Sequence, residues 1–253
     1  MKYKNLNSGF TLVELAVVMV IIGLLVGGVL KGQQMIHTAR VNKTIRDIEG
    51  YNASFSIFYD RFRAYPGDYF FATTRIPGCN AASNCLNGNG NGAINGNSAT
   101  IENPGWNQSI ATWQEPFQAW KHLALTDIIS GVDSSADIGN LGWGQSHPAT
   151  PLGGGYELYY DPAVSATYYI TAGSGHLIRM TYGGVTGTPI AQNGSSPLTP
   201  EEAFMIDSKL DDGNGYSGYM TIEDAGNVCV VDDGGEYNLQ NDGKDCIAYY
   251  FLK

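Results

Sequence analysis

The sequence predicts an α+β fold of one long N-terminal α-helix, a transmembrane half plus an amphipathic half. That helix packs on a globular domain with a mainly antiparallel β-sheet and extra short helices. Three observations predict it. Phe10–Leu30 is an almost unbroken apolar run. An amphipathic stripe follows, and beyond Tyr65 short tyrosine-rich segments alternate with Gly, Pro and Ser.

The apolar run, FTLVELAVVMVIIGLLVGGVL, is ~32 Å long as a helix and spans a bilayer. Lys2 and Lys4 precede it, which places that end in the cytoplasm and the rest across the membrane. After Lys31 the helix continues. Val41, Ile45, Ile48, Phe55, Phe58 and Phe62 recur at three- and four-residue steps, with Lys43, Arg46 and Asp47 on other faces. Tyr65-Pro66-Gly67-Asp68 stops it. The predicted helix, roughly 10–63, is ~80 Å long. The resulting organisation is 1–9 as a short basic leader, 10–30 as membrane helix, 31–64 as its amphipathic continuation and 65–253 as a globular head.

Within the head, residues 76–105 read as loop, and residues 87–97 hold the Gly/Asn-rich run NGNGNGAINGN. Asn87, Asn89 and Asn91 have the spacing of a calcium loop, but the donors are neutral amides and Ser98 stands where a bidentate Glu belongs. A turn-rich loop is the better reading. Glu115–Ser130 reads as a helix with Trp120 in the core and His122 at the surface. Strands are expected at Tyr156–Tyr160, Tyr168–Thr171, Leu177–Tyr182, Asn227–Val231 and Ile247–Phe251. Their tyrosines are first of all good strand formers. Thr199-Pro200-Glu201-Glu202 starts a helix that runs to Leu210. Behind it, Asp211, Asp212 and Asn214 before a Gly turn are candidate ligands for a structural Ca2+, with Asp232 and Asp233 next. The competing reading is an acidic helix end with a Gly turn.

The formal charge is −10 with 15% charged residues, so the surface rests on Gly, Ser, Thr, Asn and Tyr rather than on ion pairs. An acidic body repels phosphate backbones, and no general nucleic-acid binding is expected. The cysteines form two local pairs, Cys79/Cys85 and Cys229/Cys246, consistent with disulfides in an oxidising compartment, although four cysteines permit three connectivities. Zinc is the alternative, but neither pair has C-x-x-C spacing and histidine is scarce. The chain lacks a phosphate loop, a G-x-S-x-G elbow and an H-E-x-x-H pair, and its four histidines are scattered. Nothing in it points to an enzyme.

The apolar run is too long for a secretory signal core of ~7–15 residues, and no cysteine lies before Cys79 to carry a lipid. A plain signal anchor has no use for Glu14. A carboxylate near the centre of a membrane helix costs roughly 2.5–3.5 kcal/mol. Near the helix start the cost is smaller, and the helix dipole favours it by ~0.3–1 kcal/mol.

Gly9-Phe10-Thr11-Leu12-Val13-Glu14, behind a basic leader and ahead of an uninterrupted apolar helix, resembles the signal of type IV pilins and type II secretion pseudopilins. The resemblance implies cleavage at Gly9–Phe10 by a prepilin peptidase, methylation of Phe10, and retention of the helix as membrane anchor and later filament core. It also implies assembly through Phe10 and Glu14: the freed amine of one subunit meets the carboxylate of another in an apolar core. Gly23, Gly27, Gly28 and Gly32 permit close helix approach.

The implied function is a structural subunit of a type IV pilus-like filament, with a type II secretion pseudopilin as the alternative. A membrane-anchored binding protein that never polymerises is a further one. Implied partners are the peptidase, other copies or other pilins, an inner-membrane assembly platform and the lipid bilayer. The implied location is the inner membrane, with the head in the periplasm or outside. The order of YPGD, cysteine loop, Gly/Asn run, Glu-Pro-Phe-x-x-Trp-x-His-Leu helix and late acidic segment is similar to a group of prepilin-type proteins of unassigned role. The head is larger than that of a small major pilin.

Overall fold

The computed structural model describes residues 11–94, 115–135, 142–161, 175–182, 196–223, 228–231 and 234–253. Its contacts divide the chain into two units, Met1–Arg40 and Val41–Lys253. The expected strand at Tyr168–Thr171, and Asp232 and Asp233, lie outside the described residues.

Helix α1 covers Leu12–Phe62. In the first unit its apolar side chains are exposed, Leu12 at 90% and Leu24 at 73%. In the second unit Val41, Thr44, Ile45, Ile48, Ser54, Phe55 and Phe58 are buried along it, the three-and-four spacing of one helix face. Tyr51 completes that face, with ring centroids 5.0 Å from Trp120 and 5.1 Å from Tyr156.

The sheet is antiparallel, in the order β1-β2-β4-β3, from β1 (Gly155–Asp161), β2 (Gly175–Thr181), β3 (Met220–Glu223) and β4 (Ile247–Phe251). Registration places Leu158 opposite Ile178, Ile178 opposite Tyr250, and Tyr250 opposite Met220. All four belong to the main core with α1, because side chains of paired residues share a face. The next residue along each strand faces the other way. There Glu157, Arg179, Tyr249 and Thr221 form the matching row, and Arg179 Nε donates to Glu157 Oε2 at 2.7 Å.

The short helices are α2 (Ala72–Arg75), α3 (Glu115–Leu125) and α4 (Pro200–Leu210). Helix α4 starts as its sequence demands. Thr199 accepts from the Glu202 N–H, Glu202 accepts from the Thr199 N–H, and Pro200 occupies the first turn. Disulfides join Cys79 to Cys85 and Cys229 to Cys246. The second ties the segment after β3 to the start of β4, and a closure of this length contributes ~3 kcal/mol in the chain-entropy account.

Three expectations need correction, and one strand is additional. Helix α3 ends at Leu125, five residues before Ser130. There the Ile128 N–H returns to the Leu123 carbonyl and Asp127 turns at φ 58°, an αL stop. His122 is fully buried rather than at the surface. No strand forms over the described residues 228–231; Val230 makes one isolated bridge to Tyr237. There the chain folds back at once, with the Asn238 N–H bonded to the Cys229 carbonyl. The edge strand β3, Met220–Glu223, was not anticipated.

Candidate functional site

The N-terminal segment is the first candidate. Gly9 and Phe10 lie outside the described residues; Thr11 and Glu14 lie within them. The Thr11 N–H and hydroxyl both donate to Glu14 Oε2, each at 2.8 Å, and the Glu14 N–H donates back to Thr11 Oγ1 at 3.3 Å. This reciprocal pair is a capping box. It explains how a carboxylate is kept at the start of an oily helix, and its Thr-x-x-Glu pattern was readable in the sequence. One carboxylate oxygen, Oε1, has no partner among the described residues. Beyond the cap, residues 15–30 of α1 carry no charged side chain and are exposed throughout. A Cβ added at Gly23, Gly27, Gly28 or Gly32 would meet nothing within 4 Å. The helix therefore presents bare apolar surface interrupted by notches that fit another helix or lipid.

The acidic turn after α4 is the second candidate. Asp207, Asp211 and Asp212 bring ligand oxygens within 4.8 Å of one another. Asp211 Oδ2 accepts from the Tyr219 and Met220 N–H groups. Asp212 accepts from the Asn214 N–H at 2.9 Å and the Ser217 hydroxyl at 2.6 Å. The Asn214 amide is engaged twice, by the Tyr216 N–H and the Gly234 carbonyl. Asp207, fully buried, was not singled out from sequence. Its Oδ2 accepts from the Tyr237 hydroxyl at 2.8 Å, while its Oδ1 has no partner.

Burial pushes Asp207 up to about 7, against the Tyr237 hydrogen bond and reinforced by Asp212 and Asp211. The folded state thus holds a proton that the unfolded chain releases near 3.8. The associated stability is full below that value and is lost as pH rises through about 7. Asp207→Asn keeps an acceptor for Tyr237 and removes the titration. In thermal melts it should match the parent near pH 4 and exceed it at pH 8, on the order of 2–4 kcal/mol. A difference independent of pH contradicts this.

Over the described residues 87–94, the Gly/Asn-rich run is tied into the fold by its side-chain amides. Asn87 Oδ1 accepts from the Thr73 N–H, Asn89 Oδ1 from the Asn91 N–H, and Asn91 Oδ1 from the Ala93 N–H. Asp68, almost fully buried, receives the N–H groups of Asn91 and Gly92 at 3.0 and 2.9 Å. From α3, Glu115 takes the Asn89 N–H and Gln118 takes the Leu86 N–H. His122 Nδ1 takes the Gly67 N–H at 2.9 Å, and its Nε2–H reaches the Leu86 carbonyl. Burial pushes His122 down to about 4, so the neutral ring that these bonds need persists well below neutral pH. Cys79 and Cys85 lie beside His122, but the disulfide and the two occupied ring nitrogens leave no metal donor.

Residues 4–30 match the family model described as the prokaryotic N-terminal methylation motif. It is the prepilin-type signal of type IV pilins and pseudopilins. The match begins within the basic N-terminal residues, takes in the apolar stretch and includes nothing beyond Leu30. No curated protein and no solved structure matches the chain at a significant level. The motif, with one apolar N-terminal helix and an α+β body, supports a membrane-anchored subunit of the type IV pilin or pseudopilin kind.

Proposed function

We propose that the chain is a subunit of a type IV pilus-like filament. The observation that carries this is the methylation motif over residues 4–30, with Glu14 inside it. A prepilin peptidase cuts at Gly9–Phe10 on the cytoplasmic face and methylates Phe10. Residues 10–30 stay as the inner-membrane anchor, 31–64 continue the helix, and 65–253 form the head outside the cytoplasm. On assembly the Phe10 amine of one subunit pairs with Glu14 of another. Each charge alone is costly in an apolar core; together they neutralise and set the axial register. The capping box supports this division of labour, since one carboxylate oxygen holds the helix start and the other remains free.

A pseudopilin shares every one of these residues. The pilus reading is preferred because no mark of a secretion subunit stands out in the head. The test is the composition of filaments sheared from the cell surface. This chain should be found in them; its confinement to the membrane fraction contradicts the pilus reading.

We further propose that Asp207, Asp211 and Asp212 hold a structural Ca2+, a donor set of hard carboxylate oxygens, with Asn214 bracing the turn. Calcium requires ionised ligands. At pH 7.5, added Ca2+ should raise the melting temperature of the parent and leave Asp207→Asn unchanged. Equal responses contradict the site.

A further inference from the structure

Asn-Gly is the dipeptide most open to deamidation. The Gly amide nitrogen, with no side chain beside it, gives up its proton and attacks the Asn side-chain carbonyl carbon. Ammonia leaves, and water opens the resulting succinimide to aspartate or isoaspartate. Asn87-Gly88, Asn89-Gly90, Asn91-Gly92 and Asn214-Gly215 fall among the described residues. The fold cannot dispense with these glycines. Gly90 and Gly92 take φ of 73° and 85°. A Cβ at Gly88 would lie 2.2 Å from the Gly67 carbonyl oxygen, and one at Gly215 would lie 2.8 Å from Val230. The asparagines are needed too, since their Oδ1 atoms accept from the N–H groups of Thr73, Asn91, Ala93 and Tyr216 in turn. A labile bond is therefore built into the head at each of these places.

Burial does not shield these bonds, because Asn87 and Asn91 are exposed. Hydrogen bonding does. The Gly88 N–H donates to the Tyr69 carbonyl and the Gly90 N–H to the Asp68 carbonyl, both at 3.0 Å. The Gly92 N–H donates to Asp68 Oδ2 and the Gly215 N–H to the Gly235 carbonyl, both at 2.9 Å. Each attacking nitrogen thus keeps its proton against a fixed acceptor, while each side-chain carbonyl is turned to another N–H. Both holds must be released before the ring can close. Asn91 is pinned hardest. Asp68, only 2% exposed, takes the Asn91 N–H on Oδ1 and the Gly92 N–H on Oδ2. Neither the N-terminal helix nor the acidic turn uses this carboxylate.

We infer that Asp68 guards Asn91-Gly92 against deamidation, and that the head withholds all four bonds from succinimide closure except through local opening. The inference is independent of the filament reading. Closure then follows the open fraction of each region, and the two regions answer to different bonds. Freeing residues 87–92 requires the Asp68, Glu115 and Gln118 contacts to part. Freeing Asn214 requires its turn to leave Gly234 and Gly235.

The test ages the full-length chain in detergent micelles in mildly alkaline buffer. Proteolytic digestion and fragment-ion mass spectrometry then locate each new aspartate or isoaspartate. In the folded parent all four bonds should deamidate at least about tenfold more slowly than in the same chain reduced and unfolded in urea. Asp68→Asn keeps the shape of the side chain and one carbonyl acceptor but loses the second. It should speed deamidation at Asn91 about tenfold while leaving Asn214 within about twofold of the parent. Equal rates in the folded and unfolded parent overturn the inference without recourse to any variant. An unchanged rate at Asn91 in Asp68→Asn, or a rise there matched at Asn214, overturns the guarding role of Asp68.

Discussion

Glu14→Gln should leave the chain processed, inserted and helical, yet reduce filament yield about a hundredfold or more. The glutamine amide oxygen can still accept from the Thr11 N–H and hydroxyl, as Glu14 Oε2 does, so the helix start survives. What disappears is the negative charge. Each Phe10 amine then enters an apolar core without a counter-ion, and breaking a buried pair in this way costs ~3–5 kcal/mol. Thr11→Ala is the matching control. It removes the cap, worth ~1 kcal/mol, and keeps the charge, so filaments should persist. Electron microscopy and quantification of sheared material read both variants. Normal filaments from Glu14→Gln refute the register role.

Gly88→Ala should destabilise the head by about 3 kcal/mol or more. At this position an added Cβ would lie 2.2 Å from the Gly67 carbonyl oxygen and 2.3 Å from Asp68 backbone atoms. Neither can move freely. The Gly88 N–H bonds to the Tyr69 carbonyl and the Gly90 N–H to the Asp68 carbonyl, both at 3.0 Å. The Gly67 N–H is held by His122. Forcing these two loop segments apart therefore breaks the Asp68, Glu115 and His122 bonds together. For a domain of this size the loss corresponds to a melting temperature lower by about 6–12 °C. Gly50→Ala in α1, where a Cβ meets nothing within 4 Å, should be neutral or stabilising by up to ~1 kcal/mol. Equal melting of the two variants contradicts the packing account.

What could be read in the sequence was local. The stripe from Val41 to Phe58 follows from helical period alone, and Thr199-Pro200-Glu201-Glu202 carries its own capping chemistry. The Phe10–Glu14 pattern stands out because an acid in an oily helix is costly wherever the chain folds. What escaped depends on distant partners. His122 looked like a surface residue until Gly67, 55 positions away, supplied the donor that allows its burial. Asp68 lacked meaning until the N–H groups of Asn91 and Gly92 arrived across 23 and 24 positions. Strand β3 has four residues, too few for alternation to register, and exists because β4 pairs with it. Asp207 was one acid among several, and only its burial against Tyr237 sets it apart.

The central claim is that the apolar helix is retained after cleavage and begins with a methylated amine. Intact mass and N-terminal sequencing of the protein isolated from membranes or filaments test it directly. The account predicts a chain that starts at Phe10 and carries one additional methyl group. A chain that still begins at Met1, or one that starts beyond Leu30, contradicts it.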